Sequence, residues 1–210
     1  MTSLELHIDG ISEGQRIAEE FAFGIRTADT PFTFGPNISP GIRWSGGPDG
    51  TKSYAVIMHD RSVPTVFDDA NQEGKTIPAD LERMDFMHWI LVDIPATTTS
   101  LAKGVESEGV TPKGKDTGPT TNGVRGANDF GMFMASNPDM AGNYGGYDGP
   151  APPWNDELMH EYVFTVFALD VETLGLTGVF GGADARAAME GHVLASGQVM
   201  GTYTLNPDLL

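Results

Sequence analysis

The sequence predicts a mainly β fold, and two observations carry that prediction. The 210-residue chain contains 27 glycines and 14 prolines spread along its length, which is typical of many turns between short strands. Apolar runs rich in β-branched and aromatic residues recur between these turns, whereas only one segment has the character of a helix. The length fits a single domain over residues 1–210, with a core that needs no disulfide bonds.

The first half of the chain contains the strand around which the fold is organised. Alternating apolar residues predict a half-buried strand over Leu4–Ile8, and Gln15–Phe23 is interpreted as extended. A short segment over Ser39–Trp44 leads into a glycine-rich turn. The run Tyr54–Pro64 follows that turn, and its consecutive apolar residues predict a strand buried on both faces.

Asp60 is the polar member of this buried strand. With a side-chain period of two, it shares a face with Tyr54, Val56 and Met58. A carboxylate in such surroundings needs a hydrogen-bond partner or a pocket, because desolvating it alone costs several kcal/mol or more. Two interpretations follow: a turn residue at the end of the strand, or the floor of a functional site.

The second half alternates long loops with strands. The predicted elements are a surface excursion over Thr65–Asp85 with one helical turn near Ala79–Glu82, a strand over Met87–Ile94, a polar loop over Ala96–Thr121, a strand over His160–Asp170, a helix over Ala183–Leu194 and a last strand over Gln198–Leu205. Alternation predicts that His88 shares a face with Ile90, opposite Trp89. The same rule places His160 and Tyr162 together on one face.

Composition excludes several classes of function. The formal net charge is −17 and the pI is near 4.4, which argues against nucleic acid or an anionic membrane surface as a partner. No window approaches the roughly 18 apolar residues of a membrane span, and there is no cysteine for disulfides or thiolate metal sites. The first residues lack the features of a secretion signal, so a cytoplasmic location is expected.

Two sequence motifs are interpreted as accidental. Asp129-Phe130-Gly131 spells the metal-binding triplet of protein kinases, but the other kinase motifs are missing. The glycine-rich run over residues 142–149 is neither preceded by a predicted strand nor followed by a predicted helix, so it does not fit a dinucleotide-binding loop. No Glu-x-x-His pair lies on a predicted helix.

A distributed set of polar residues remains, comprising Asp60, His88, His160 and Tyr162. Each lies at the start or end of a predicted strand, where antiparallel pairing can bring strand ends and strand starts together. Histidine and tyrosine supply hydrogen-bond donors, and an aspartate beside a histidine favours its charged form. The alternative is that both histidines are satisfied edge residues and Tyr162 is a core residue.

These residues occur in an order that resembles the phosphatidylethanolamine-binding protein family, specifically its prokaryotic, Raf-kinase-inhibitor-like branch. The motifs that carry the resemblance are Ser39-Pro40 with Trp44, Asp60-x-x-x-Pro64, His88-Trp89, Gly149-Pro150-x-Pro152-Pro153 and His160-x-Tyr162-Val163-Phe164. Asn128-Asp129-Phe130-Gly131 and the closing Met189–Leu194 and Gly201-Thr202-Tyr203 segments also fit that branch. The match runs from about Ser39 to Tyr203.

The resemblance implies two antiparallel sheets with a few peripheral helices. It also implies a small anion pocket where Asp60, His88, His160 and Tyr162 meet the Gly149-Pro150 loop. A cis proline near this site is typical of the family, and we expect Val63–Pro64 to be cis. This chain departs from the family motif Asp-Pro-Asp-Ala-Pro, because Ser62 replaces the second carboxylate.

The expected function is therefore the non-catalytic binding of a small anion such as phosphate or a phosphoryl headgroup, with a regulatory role. An inhibitor of a kinase or protease is the first alternative, and a hydrolase that uses a histidine as general base is a weaker one. No cofactor and no metal are expected. A protein partner, or a second copy of the chain in a homodimer, is a further alternative. Nucleic acid is not expected as a partner, and no membrane-spanning segment is expected.

Overall fold

We describe a computed structural model of the protein that covers residues 2–210; Met1, the first residue of the predicted 1–210 domain, lies outside the described residues. Its strands are β1 (Thr2–Ser3), β2 (Glu5–Ile8), β3 (Gly24–Ile25), β4 (Thr33–Phe34), β5 (Ile42–Ser45), β6 (Ser53–Pro64), β7 (Arg83–Pro95), β8 (Ser100–Leu101), β9 (Gly118–Pro119), β10 (Val124–Arg125), β11 (Ala127–Asn128), β12 (Tyr144–Gly145), β13 (His160–Leu169) and β14 (Val193–Tyr203). The helices are α1 (Phe130–Phe133), α2 (Gly182–Met189) and two 3₁₀ turns, Glu19–Phe21 and Pro207–Leu209.

The strands form two main sheets, as expected for a mainly β fold. The large sheet has the order β1-β14-β13-β6-β7-β10-β9 and is antiparallel except for the β1–β14 pair. A three-stranded antiparallel sheet, β2-β5-β8, packs over it, and two further pairs, β3-β4 and β11-β12, lie outside both sheets. Apolar side chains from the two main sheets meet in one core, which includes Trp44, Val56, Trp89 and Phe164.

The long strands β6 and β13 were predicted closely. The predicted strand over Tyr54–Pro64 corresponds to β6, whose residues pack into cores on both faces of the large sheet. β13 follows the predicted alternation, with Tyr162 and Phe164 on the inner face. The outer face is covered by α2, whose Ala185 packs into a second cluster of buried apolar residues.

Several local predictions were wrong, and one of them is the start of β14, which lies at Val193 rather than Gln198. Helix α2 ends at Met189 rather than Leu194, because Gly191 adopts a positive φ of 81° and the chain enters β14 directly afterwards. The stretch predicted as a helical turn near 79–82 contains no helix, and part of the predicted extended segment forms the 3₁₀ turn Glu19–Phe21. The Val63–Pro64 bond is trans, as are all peptide bonds in residues 2–210.

The largest correction concerns His88. In the register of β6 against β7, Met58 pairs with Trp89 whereas His59 pairs with Met87, so His88 is an extra, unpaired residue. Such a β-bulge directs two consecutive side chains to the same side of a sheet. His88 therefore lies on the inner face with Trp89, and not with Ile90 as simple alternation predicts.

Candidate functional site

The four polar residues predicted as a site line one pocket at an end of the large sheet. Asp60 and Tyr162 are directly opposite each other on the paired strands β6 and β13. The ring of His88 contacts that of Tyr162 with centroids 5.2 Å apart, and the centroid of His160 is 6.5 Å from Tyr162. All four side chains are almost completely buried.

The walls of this pocket are mainly apolar. It encloses about 380 Å³ of space free of protein atoms, including its opening to solvent. Its apolar lining residues are Val63, Phe67, Phe86, Phe130, Phe133, Ala151, Pro152 and Pro153. Phe67 comes from the long excursion after β6 and packs against Phe133 with centroids 6.3 Å apart, so the excursion forms part of the wall. Apolar side chains therefore surround the four polar residues at the floor of the pocket.

His88 is a neutral hydrogen-bond acceptor in this pocket. Its Nδ1 lies 2.7 Å from the carbonyl oxygen of Asp148. Burial lowers the pKa of His88 to about 4, against the opposing influence of Asp60. The ring is therefore uncharged at neutral pH, and Nδ1 must carry the proton that it donates to the carbonyl. Nε2 is left as an acceptor.

His160 has the opposite character. Its Nδ1 lies 2.6 Å from Asp60 Oδ2 and its Nε2 lies 3.1 Å from Asp156 Oδ2. Burial alone would lower its pKa, but the charges and hydrogen bonds of the two carboxylates outweigh this and raise the pKa to about 9. His160 is thus a cation at neutral pH whose two N–H groups are both engaged. It is not free to donate to a ligand, contrary to the expectation from sequence.

Two residues of this cluster, Asp156 and Arg83, were missed by sequence analysis. Arg83 forms a fork to Asp156, with Nη1 2.6 Å from Oδ2 and Nη2 3.1 Å from Oδ1. Burial would raise the pKa of Asp156, but hydrogen bonds from His160 and Arg83 lower it. The only available signal was the spacing of Asp156 four residues before His160, since Arg83 lies 73 residues away from Asp156 in sequence.

Asp60 is further fixed by the turn that follows it. Its Oδ1 accepts a hydrogen bond of 2.8 Å from the backbone N–H of Ser62. The hydroxyl of Ser62 accepts a hydrogen bond of 3.1 Å from the N–H of Glu161 on β13. Ser62, which stands where the family motif has a second acid, therefore closes β6 against β13 without adding charge to the pocket.

The hydroxyl of Tyr162 has no hydrogen-bond partner of good geometry among residues 2–210, and the hydrogen bond that the Asp60 carboxylate offers it is a weak one. The side chain is fully buried, and burial together with the nearby carboxylate of Asp60 raises the pKa of Tyr162 well above 10. A buried O–H without a partner is costly, because it gave up its hydrogen bonds to water. Tyr162 therefore offers a neutral donor at the floor of the pocket.

Gly149 and Pro150, predicted as ligand-binding residues, lie behind the pocket wall. The wall itself is formed by the next three residues of the loop. The N–H of Gly149 donates to Asn37 Oδ1 over 2.8 Å, and the carbonyl of Pro150 accepts from the N–H of Gly24 over 3.0 Å. The loop N–H of Gly149 is therefore not free to bind an anion.

Gly149 instead permits close packing. A Cβ at this position would overlap the carbonyl oxygen of Phe21 and approach the hydroxyl of Tyr147. We expect Gly149→Ala to lower the free energy of unfolding by about 1–3 kcal/mol, since the backbone of either segment must shift. Urea denaturation checks this, with Gly181→Ala as the control, because a Cβ at Gly181 meets no atom within 4 Å. Equal stability of the two variants would contradict the packing role.

Asp129 of the kinase-like triplet has a structural role. Its Oδ2 accepts a hydrogen bond of 2.6 Å from the N–H of Met87, beside the bulge in β7. Phe130, the next residue, packs edge-on against the ring of His88 with centroids 5.3 Å apart. The triplet is therefore unrelated to metal binding in kinases: Asp129 supports the bulge in β7, and Phe130 forms part of the pocket wall.

Comparison with known proteins places this geometry in a family. The family model described as phosphatidylethanolamine-binding protein matches residues 7–204. A UPF0098 protein of Aquifex aeolicus is 32% identical over 206 residues, which covers 96% of each chain. The UPF0098 protein YbcL of Escherichia coli is 30% identical over 171 residues, or 81% of this chain and 74% of YbcL.

The three-dimensional structures agree. The crystal structure of Escherichia coli YbcL, described as a new member of the mammalian PEBP family, superposes with a TM-score of 0.68 at 26% sequence identity, covering 96% of this chain and 98% of YbcL. No helix in residues 2–210 has the length and apolar character needed to cross a bilayer. Sequence and fold together show that the chain belongs to the phosphatidylethanolamine-binding protein family, in its prokaryotic branch.

Proposed function

We propose that the pocket binds the phosphoryl group of a small molecule together with one proton. The observation that carries this proposal is the pairing of a donor without a partner of good geometry, the buried hydroxyl of Tyr162, with an unused acceptor, Nε2 of neutral His88, in one pocket. A singly protonated phosphoryl group matches both, since its oxygens accept from tyrosine and its P–OH donates to histidine. The family is described by its binding of phosphatidylethanolamine, whose headgroup contains a phosphate.

The charges around the pocket are compatible with an anion. The buried ionic groups are the carboxylates of Asp60 and Asp156 and the cations His160 and Arg83, so their charges cancel. The whole chain, with a net charge of −17, repels anions at long range. Binding is therefore expected to be weak and short-ranged, and to strengthen with ionic strength as the long-range repulsion is screened.

We further propose that the pocket binds without turnover. Both ring nitrogens of His160 are held by carboxylates, so this histidine has no nitrogen left to activate a nucleophile. The nearby hydroxyl of Ser62 accepts from the backbone of β13 and has no histidine bonded to it in the described part of the chain. Inhibition of a kinase or protease stays a prediction from the family resemblance.

Binding of a phosphomonoester is expected to be more than about tenfold tighter at about pH 6 than at about pH 8, and binding of inorganic phosphate, which loses its second proton closer to neutral pH, several-fold tighter. A phosphomonoester loses its second proton near pH 6, and the doubly charged form has no proton to donate to His88. Isothermal titration calorimetry with inorganic phosphate and with phosphorylethanolamine measures the effect. The heats in buffers of different ionisation enthalpy report the proton taken up with each ligand. Affinity that does not change with pH would contradict the proposal.

Tyr162→Phe separates binding from stability. Because its hydroxyl has no partner of good geometry, we expect its removal to leave the free energy of unfolding unchanged or slightly higher, while phosphate affinity falls. His192→Phe is the matched control, since this histidine pairs with Asp170 on a partly exposed surface far along the chain from the pocket. Equal phosphate affinity in Tyr162→Phe and the unsubstituted protein would remove the proposed donor.

A further inference from the structure

A second buried ion pair lies behind the pocket wall. The carboxylate of Asp148 is fully buried and accepts three side-chain hydrogen bonds. Oδ1 accepts from Lys115 Nζ over 2.7 Å and from Asn37 Nδ2 over 2.8 Å, and Oδ2 accepts from Asn128 Nδ2 over 2.9 Å. In residues 2–210, Lys115 is the cation paired with this carboxylate. Three distant segments of the chain therefore converge on Asp148.

The backbone of Asp148 holds His88 at two points. The N–H of Asp148 donates to the carbonyl of His88 over 2.9 Å, and His88 Nδ1 donates to the carbonyl of Asp148 over 2.7 Å. The position of Asp148 thus decides which nitrogen of His88 carries the proton and how the ring stands against Tyr162. Neither Asp148 nor Lys115 lines the pocket itself.

We propose that Lys115 is a positioning residue of the pocket: through Asp148 it holds His88 in the Nδ1–H tautomer and leaves Nε2 free for the ligand. A buried carboxylate without a cation is strongly disfavoured and either takes up a proton or moves towards water. Either change weakens the bonds from Asn37 and Asn128 and shifts the carbonyl to which His88 donates. The effect on ligand affinity rests on the proposed phosphate binding, whereas the effect on the tautomer does not.

The tautomer is measured first, in the ligand-free protein near neutral pH, by ¹⁵N NMR of the histidine ring nitrogens. The unsubstituted protein is expected to show His88 as the Nδ1–H form, and Lys115→Met is expected to lose that single form. Lys115→Arg, which keeps the charge, is expected to retain it. The matched control is Lys103→Met, because Lys103 also pairs with a carboxylate, that of Glu20, but on the exposed surface.

Phosphate affinity is the second readout. Lys115→Met is expected to weaken inorganic phosphate binding about tenfold, since one well-placed hydrogen bond has about that effect on an equilibrium constant. Lys103→Met is expected to leave it unchanged. If Lys115→Met does not fold, Lys115→Gln replaces it under the same expectations. An Nε2–H tautomer in the unsubstituted protein, or an unchanged tautomer in the folded neutral variant, overturns the inference. Absence of phosphate binding by the unsubstituted protein defeats only the proposed function.

Discussion

Replacing Arg83 by methionine is expected to lower the free energy of unfolding by about 3–5 kcal/mol. The substitution removes one cation from a cluster in which the charges of Asp60, His160, Asp156 and Arg83 cancel. The buried carboxylate of Asp156 would then share the single charge of His160 with Asp60. The carbonyls of Ser62 and Pro78 would also lose the hydrogen bonds they accept from the Arg83 guanidinium.

A surface pair of the same chemistry is the control for this prediction. Arg43 pairs with Asp9 over 2.9 Å, but both side chains are more than half exposed. Arg43→Met is expected to change stability by at most about 1 kcal/mol, because water replaces the lost partner. Urea denaturation measures the free energy of unfolding of each variant. The values can be compared when the dependence of that free energy on urea concentration has the same slope in all variants. A loss in Arg83→Met no larger than that in Arg43→Met would show that the buried pair makes no special contribution.

The free energy of unfolding is expected to be greatest near pH 6.5, because folding shifts the pKa values of the two pocket histidines in opposite directions. His160 has a folded pKa of about 9 against 6.5 for an unperturbed histidine. The contribution of His160 to the free energy of unfolding is therefore fully present below pH 6.5 and is lost as the pH rises towards 9. A difference of this size corresponds to about 3 kcal/mol.

His88 limits stability on the acid side. Its folded pKa of about 4 is lower than the value of 6.5 for an unperturbed histidine, so between these values the unfolded chain binds a proton that the folded protein does not. Stability consequently falls as the pH drops from 6.5 towards 4, again by about 3 kcal/mol from this residue.

Variants assign each side of this pH profile. His160→Gln is expected to flatten the alkaline side whatever its overall cost, and His88→Gln is expected to flatten the acid side. The measured quantity is the slope of unfolding free energy against pH, which is about 1.4 kcal/mol per pH unit for one proton. Unchanged slopes in the variants would show that these histidines do not have the opposite charge states that we describe.

The parts of the fold that were predictable follow from local pattern. The runs that form β6 and β13 are apolar and long, so their period-two alternation correctly placed Asp60 on the face of Met58, and His160 on the face of Tyr162. The family resemblance then supplied the arrangement of the sheets. The resemblance also led to the expectation of a cis bond at Pro64, which is wrong, because this bond is trans.

The parts that were not predictable depend on contacts between distant residues. The bulge at His88 arises from the register between β6 and β7, which no local pattern encodes. Asp148 and Asp156 stand in loops rich in glycine and proline, where a carboxylate ordinarily indicates a turn. Their roles become visible only when Lys115 and Arg83 arrive from elsewhere in the chain. The Nε2–H that His160 was expected to offer to a ligand is likewise bonded to Asp156, which sequence reasoning had not identified.

The extra residue in β7 also restricts how this family member can change length. Deleting a single residue between Phe86 and Trp89 would restore simple alternation and turn the remaining imidazole or its replacement towards the helix-covered side of the sheet. An insertion of the same size in the loop over residues 65–82 would leave every strand pairing as it is. Insertions and deletions in proteins that descend from this one are therefore expected in the loop before Arg83. They are not expected among the four residues that follow Asp85.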